Sequence, residues 1–227
     1  KVLIRTASGT GSNTASGTAC TFQTNLCGWN QDKTDKFDWT RHYSGTSSTG
    51  TGPSSGAGGH GYYMYIETSS PRVQGDTAAL VSSTRGCGLS FDYHMLGTDI
   101  GKLEVHSSDN GRQWTSAWVK TGAQGSKWLS ASVTTSTGSS SSKLWRVTAT
   151  RGKSYGGDIA IDNLAITSCP AMSFKQMAVG KCSSPYSFIE SQALCEQAAV
   201  ALGLPDITAA PLASTSYPHG CYYKKSQ

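Results

Sequence analysis

The chain holds 227 residues, enough for one large domain or for one domain with a small companion, and only 15% of them are charged. The net charge of +5 is spread along the sequence, and no Lys/Arg cluster alternates with aromatics, which argues against nucleic-acid binding. Abundant Gly, Ser and Thr together with six Trp and ten Tyr predict an all-β sandwich with polar turns, not a helical enzyme or a disordered chain.

In chain order, residues 1 to 5 (KVLIR) read as the end of a strand from a preceding domain. Thr6 to Ala19 is a Gly/Ser/Thr run without apolar period, a flexible linker, so residues 1–19 stand outside the main domain. Cys20 opens a compact block in which Phe22, Trp29, Phe37 and Trp39 are expected to fill the edge of the sandwich. Ser44 to His60 is a Gly/Ser-rich stretch with no core-forming pattern, a surface loop free to vary. In the segment after it, Tyr63 and Tyr65 share one strand face while Tyr62 and Met64 share the other. One set belongs to the core; the other is available to stack on sugars or to meet a protein.

The organising stretch is Gly86 to Trp118. Leu89, Phe91, Tyr93 and Met95 alternate with Ser90, Asp92 and His94, the period of a strand with one dry and one wet face. A second strand runs from Lys102 to His106, with Leu103 and Val105 inward, so that His94 and His106 are expected at the surface. Asp109-Asn110-Gly111 is a hairpin signal, because these residues accept positive φ, and the return strand passes through Trp114 and Trp118. Thr134 to Ser142 is another polar loop, and Asp158 to Ile166 forms the last strand of the domain.

Beyond Cys169 the composition changes. Ser187 and Glu190 match a capping box, and Ile189, Ala193, Leu194, Ala198 and Leu202 follow at helical spacing. This predicts a helix from about Phe188 to Leu202, stopped by Gly203 and Pro205. Residues 170–227 are too few for a core of their own and read as a small helix-containing, disulfide-stapled segment.

Seven cysteines, at 20, 27, 87, 169, 182, 195 and 221, show no C-x-x-C spacing and no accompanying His cluster, so a disulfide framework in an oxidising compartment is expected rather than zinc or redox chemistry. Cys195 with Cys221 is the preferred pair at the C-terminal end, which leaves Cys182 to a partner beyond Gln227 or on another chain. The sequence has no signal peptide, membrane-spanning run or lipid anchor, and beginning at Lys1 it reads as part of a longer mature protein. No N-glycosylation sequon is present, although the Ser/Thr tracts could carry O-glycans.

Cys20, Phe22, Gly28, Trp29, Asp32, Phe37, Asp38 and Trp39 together resemble the opening of a MAM domain, the module of meprins, neuropilins and receptor tyrosine phosphatases. Gly61–Glu67, Ser70–Arg72, Gly75–Ala78, Cys87–Asp92, Gly156–Asn163 and the closing Cys169 continue the likeness in order, over residues 20–169. The resemblance implies a two-sheet antiparallel jelly roll with the pairs Cys20–Cys27 and Cys87–Cys169. By the loop-entropy relation these would contribute roughly 2.5 and 4.5 kcal/mol. The C-terminal segment is loosely similar to cysteine modules of extracellular protist proteins.

Catalytic patterns are lacking. His42, His60, His94, His106 and His219 lie in separate segments, and no G-x-S-x-G, H-E-x-x-H, EF-hand loop or phosphate-binding loop is found. Asp35 and Asp38 stand beside Lys33 and Lys36, as in a surface turn with local ion pairs. Some members of the resembled family hold a metal ion, and by position Gln23, Asp38 and Asp162 are the candidate ligands for Ca²⁺, with Asp32, Asp35 or backbone carbonyls as additions. Thr21 and Gln23 stand where the family commonly has acids, which weakens such a site. The plainer reading has Asp162 accepting backbone hydrogen bonds and Asp38 capping a turn. The expectation is a non-catalytic extracellular adhesion or assembly module of a larger protein, meeting other extracellular domains or copies of itself. A carbohydrate-binding module or an accessory domain of a secreted protease is the alternative.

Overall fold

The computed structural model describes residues 2–7, 19–135, 142–169, 172–177, 186–189, 192–204 and 221–222. In chain order the strands are β1 (Val2–Ala7), β2 (Trp29–Gln31), β3 (Thr40–His42), β4 (Tyr63–Tyr65), β5 (Thr77–Ser82), β6 (Gly88–Met95) and β7 (Lys102–Ser108). They continue with β8 (Thr115–Thr121), β9 (Gly125–Thr134), β10 (Leu144–Thr150), β11 (Ala160–Thr167), β12 (Met172–Met177) and β13 (Tyr186–Phe188). Helix α1 (Gln192–Ala201) and β14 (Cys221–Tyr222) close the order. The chain divides into two compact units, residues 13–169 and residues 1–12 with 170–227.

The larger unit is an antiparallel jelly-roll sandwich of two five-stranded sheets, β2-β5-β10-β7-β8 and β3-β4-β11-β6-β9. The alternation read from the sequence fills the space between them. Leu89, Phe91, Tyr93 and Met95 of β6 meet Leu103 and Val105 of β7 and Trp145, Val147 and Ala149 of β10 in one core. Phe22, Trp29, Phe37 and Trp39 join that core. Trp145 is fully buried, and its indole N–H donates to the Gly86 carbonyl at 3.2 Å, so its polar end is satisfied. At the expected hairpin, Ser108 Oγ accepts from Asn110 N (3.3 Å) and Gly111 N (2.9 Å), and Gly111 sits at φ +72°. Trp118 packs edge-on against Phe91 and Tyr93.

Both disulfides implied by the resemblance are formed. Cys20–Cys27 closes the opening loop, and Cys20 bridges to Leu164 by two backbone hydrogen bonds. Cys87–Cys169 joins the residue before β6 to the end of β11. These two strands are neighbours in one sheet, so the bridge reinforces that sheet.

In the smaller unit, residues read as the end of a preceding domain instead supply a central strand. β1 pairs with β12 along one side and with β13 and β14 in succession along the other. The helix begins later than its apolar spacing predicts. Ser187, the expected cap, pairs with Arg5 within β13, because strand pairing with β1 claims the backbone that a helix would use. Its end is as read: Gly203 (φ +62°) donates to Val200 and Leu204 to Ala199, a Schellman closure. Ile189 and Ala198 are buried, with Phe174, Leu194, Leu202 and Leu204 against them. Cys195 is disulfide-bonded; the pairing expected with Cys221, and the fate of Cys182, rest on side chains outside the described residues. Among the described residues no helix is long and apolar enough to cross a membrane.

Candidate functional site

The outward face of the sheet β3-β4-β11-β6-β9 carries Tyr63, Tyr65, Ala160, Asp162, Asp92, His94 and Trp128, at successive positions of a pleated surface. Such an array of aromatics and acids would suit a ligand, but the segment 44–60 roofs it. Tyr63 Oη donates to the Ser44 carbonyl at 2.5 Å, Trp128 Nε1 to the Ser55 carbonyl at 3.0 Å, and the Ala57 N–H to Asp162 Oδ2 at 3.0 Å. Thr51 is buried and its hydroxyl donates to Leu96 O at 2.9 Å, which pins the middle of the segment. The stretch expected to be a free surface loop is therefore part of the packing.

The roof also corrects the histidines. His94, expected at the surface, is 3% exposed; its ring lies 5.6 Å from that of Trp128, and Nε2 reaches the Ser126 carbonyl at 3.1 Å. Burial holds it below the ordinary imidazole range, so it is neutral at pH 7. His106 is half-buried rather than free in solvent. Both Tyr63 and Tyr65 are buried under the roof, and Met64 is buried in the core, so neither face of β4 offers the exposed aromatic set foreseen.

Beneath the roof lies an acid pair. Asp162 and Asp92 are direct cross-strand partners, and a register shift follows at Asn163, which adopts φ +54°. Asn163 donates its N–H to Asp162 Oδ1 (2.7 Å) and its side-chain amide to Asp92 Oδ2 (2.6 Å), while Ser130 Oγ holds Asp92 Oδ1 at 2.5 Å. Asp162 is 2% exposed, and burial pushes its carboxyl up to about 6, with the Asp92 charge adding to the rise and two backbone donors opposing it. Asp158, four residues earlier on the same segment, is fully buried and also shifted up by burial; it accepts from Thr68 N at 3.1 Å and donates its own N–H to Thr51 Oγ1 at 2.8 Å.

The three candidate calcium ligands do not converge. Gln23 donates its amide to the carbonyls of Thr21 (2.8 Å) and Tyr62 (3.4 Å). Asp38 forms an exposed ion pair with Lys33 at 3.1 Å. Asp162 spends both oxygens on the backbone donors named above. Asp35 accepts from Ala79 N at 2.6 Å, and Asp32 from Thr34 N at 2.9 Å. Among the described residues no group of three or more His, Cys, Asp and Glu side chains is placed to hold a metal. This donor set does not fit a Ca²⁺ ion, which takes six to eight oxygens.

What the sequence did not single out is a ladder at the edge of this sheet. Arg41 donates to the carbonyls of Phe22 and Gln23, each at 2.5 Å, and its guanidinium lies 3.4 Å from the centre of the Tyr62 ring. Tyr62 in turn packs at 5.5 Å against Tyr43, which is 62% exposed. This edge of the sheet, with Arg41 on β3 and Tyr43 and Tyr62 just outside the strands, thus presents a cation and two rings in a fixed stack. Arg41 and the exposed Tyr43 carry no sequence signal, whereas Tyr62 belongs to the aromatic set that alternation brings out.

Comparison with known proteins follows the same outline. The family described as MAM domain, meprin/A5/mu, matches residues 20–170. Human MAM domain-containing glycosylphosphatidylinositol anchor protein 1 is 39% identical over 160 residues, covering 64% of this chain and 16% of that protein. Mouse MAM domain-containing glycosylphosphatidylinositol anchor protein 2 is 36% identical over 163 residues, covering 63% of this chain and 17% of its own length. The chain thus spans a small part of the relatives it matches. Among solved structures, the K2 adhesin domain of Lys-gingipain superposes with a TM-score of 0.48 at 14% identity, over 68% of this chain and 99% of that one.

Proposed function

The chain belongs to the MAM domain family through residues 20–170, and on that footing we propose that it is a non-catalytic adhesion or assembly module of a longer extracellular or cell-surface protein. Its partners are other extracellular domains or further copies of itself. The observation that carries this reading is the Arg41–Tyr62–Tyr43 stack. Tyr and Arg dominate the residues that anchor protein interfaces, and they act best when held in the binding conformation beforehand. Here two backbone carbonyls hold the guanidinium, the guanidinium holds Tyr62, and Tyr62 backs an exposed Tyr43 that contributes little to the core. The relatives' names place them at the cell surface by a lipid anchor, which supports an extracellular setting for the shared module.

The test is adhesion itself. Beads carrying the full chain are mixed with one another and with cultured animal cells, beside beads carrying Tyr43→Ser. The wild-type beads are expected to adhere in at least one arm, and Tyr43→Ser to reduce that adhesion about fivefold or more with an unchanged melting temperature. Wild-type beads that adhere in neither arm, or a variant that adheres equally well, would overturn the proposal.

A further inference from the structure

The outward face of the other sheet has no roof from the 44–60 segment, and its centre is unusual in its polar accounting. Arg146 on β10 lies between Val81 of β5 and His106 of β7, and Thr148 lies between Ala79 and Glu104. The core strands beneath are satisfied: Trp145 and Val147 point inward and are fully buried. The Arg146 guanidinium is half-buried, yet no hydrogen bond holds it among the described residues. Its contacts are Asp32 Oδ2, 3.8 Å from Nη1, and the Trp114 ring, whose centre is 4.7 Å from Cζ. By contrast Arg41 donates to two carbonyls, and Arg151 to three.

Among the described residues six shielded side-chain atoms have no hydrogen-bond partner; Trp39 Nε1, His94 Nδ1 and Asp158 Oδ2 lie elsewhere, while Arg146 Nε, His106 Nδ1 and Thr148 Oγ1 lie together on this patch. A native fold leaves few such atoms, and three together make this patch polar to its base; a ligand meets the solvent-facing atoms of the same side chains, since atoms closed to water are closed to it as well. Burial and the Arg146 charge keep His106 neutral at pH 7, so its ring can either donate or accept. Trp114 stands beside this polar floor as a partly exposed flat apolar surface.

The chemistry of the face selects among ligands. Arg146 and Lys102 are offset by Asp32 and Glu104, with Lys102 and Glu104 paired at 2.8 Å, so an anionic polymer finds no uncompensated charge to neutralise. A protein interface wants a centre poor in charged groups, and this centre is charged. A sugar ring presents an apolar C–H face with hydroxyls that donate and accept around its rim, which matches an indole next to mixed donors and acceptors. We propose that the outer face of β10 and β7, centred on Trp114 and Arg146, binds a neutral saccharide, its ring against the indole and its hydroxyls on Arg146, Asp32 and His106. This site is separate from the Tyr43 edge and does not rest on the adhesion reading.

The experiment titrates the full chain with cellohexaose, mannohexaose, xylohexaose and β-galactotriose, and with a heparin decasaccharide, by calorimetry and by tryptophan fluorescence. At least one neutral oligosaccharide is expected to bind with an affinity that changes little between about 0.05 and 0.5 M salt. Trp114→Ala should weaken it roughly tenfold, the size of one good aromatic contact, and Arg146→Lys, which keeps the charge but loses the planar fork, should weaken it comparably. Val73→Ser, at an exposed position in a turn, should leave binding unchanged. Near-UV circular dichroism shows that each variant keeps its fold, and Arg146→Lys carries the test if Trp114→Ala does not. No binding of any neutral probe at millimolar concentration, or binding that survives both substitutions, overturns the proposal. So does binding confined to the heparin probe with steep salt dependence, or capture of a protein at this face in its place.

Discussion

The buried carboxyl of Asp162 makes the stability of the sandwich depend on pH in a direction opposite to ordinary acid denaturation. Its folded pKa of about 6 stands above the unfolded value of 3.8, chiefly through burial. Between those values the folded state therefore binds more protons than the unfolded one, and stability falls as pH rises. The contribution is fully present below pH 3.8 and lost as pH rises through about 6; the whole swing is roughly 3 kcal/mol. Asp162→Asn removes the titration. It also leaves one of the two N–H groups, Ala57 or Asn163, facing an amide –NH₂ instead of an oxygen, a cost of about 1–3 kcal/mol that does not vary with pH. The decisive quantity is the difference between the two proteins. From pH 7 to pH 4 the wild type should gain about 2.4 kcal/mol on Asp162→Asn, while the protons taken up by the other carboxylates cancel in the subtraction. Urea unfolding followed by tryptophan fluorescence measures it for this unit alone, because all six Trp residues lie between Trp29 and Trp145. A difference that stays constant with pH, or widens toward neutrality in favour of the wild type, would refute the linkage drawn from burial under the roof.

Two further expectations concern the frame. Replacing Cys87 and Cys169 together by Ser, which reopens a separation of 82 residues, should cost about 4.5 kcal/mol of unfolding free energy, against about 2.5 for Cys20 and Cys27 with their separation of 7; urea midpoints that reverse this order would contradict it. Gly152→Ala should be severely destabilising, on the order of 3 kcal/mol or more, because a Cβ there would fall 1.7 Å from the Asp99 carbonyl oxygen, a backbone atom that cannot swing aside. Gly75→Ala meets no atom within 4 Å and bears only the strain of φ +91°, about 1 kcal/mol, so equal melting temperatures for the two variants would show the packing argument to be wrong.

The division between what the sequence made legible and what it hid follows the kind of atom involved. Side-chain alternation along β6 and β7 is a statement about which face is dry, and Leu89 and Val105 stand where that pattern puts them. The roof works differently: its contacts to Tyr63, Trp128 and Asp162 run through the carbonyls of Ser44 and Ser55 and the N–H of Ala57, groups that every residue carries. A Gly/Ser-rich stretch that packs by its backbone has the composition of a free loop, so alternation alone places His94 on a wet face. The candidate ligands failed to meet for a related reason, since Gln23, Asp38 and Asp162 match a pattern in order, while register and neighbours decide where each carboxylate or amide spends its lone pairs. Arg146 shows the converse. Nothing in Leu144–Thr150 distinguishes it from an ordinary outward arginine until its neighbours are known, and then the absence of any hydrogen bond to its guanidinium among the described residues sets it apart from Arg41 and Arg151. A jelly roll has two outward faces, and here one is consumed by the chain's own loop. On the two proposals above, binding falls to the Tyr43 edge and to the face that the loop does not reach, so a variant of the roof should act on stability before it acts on binding.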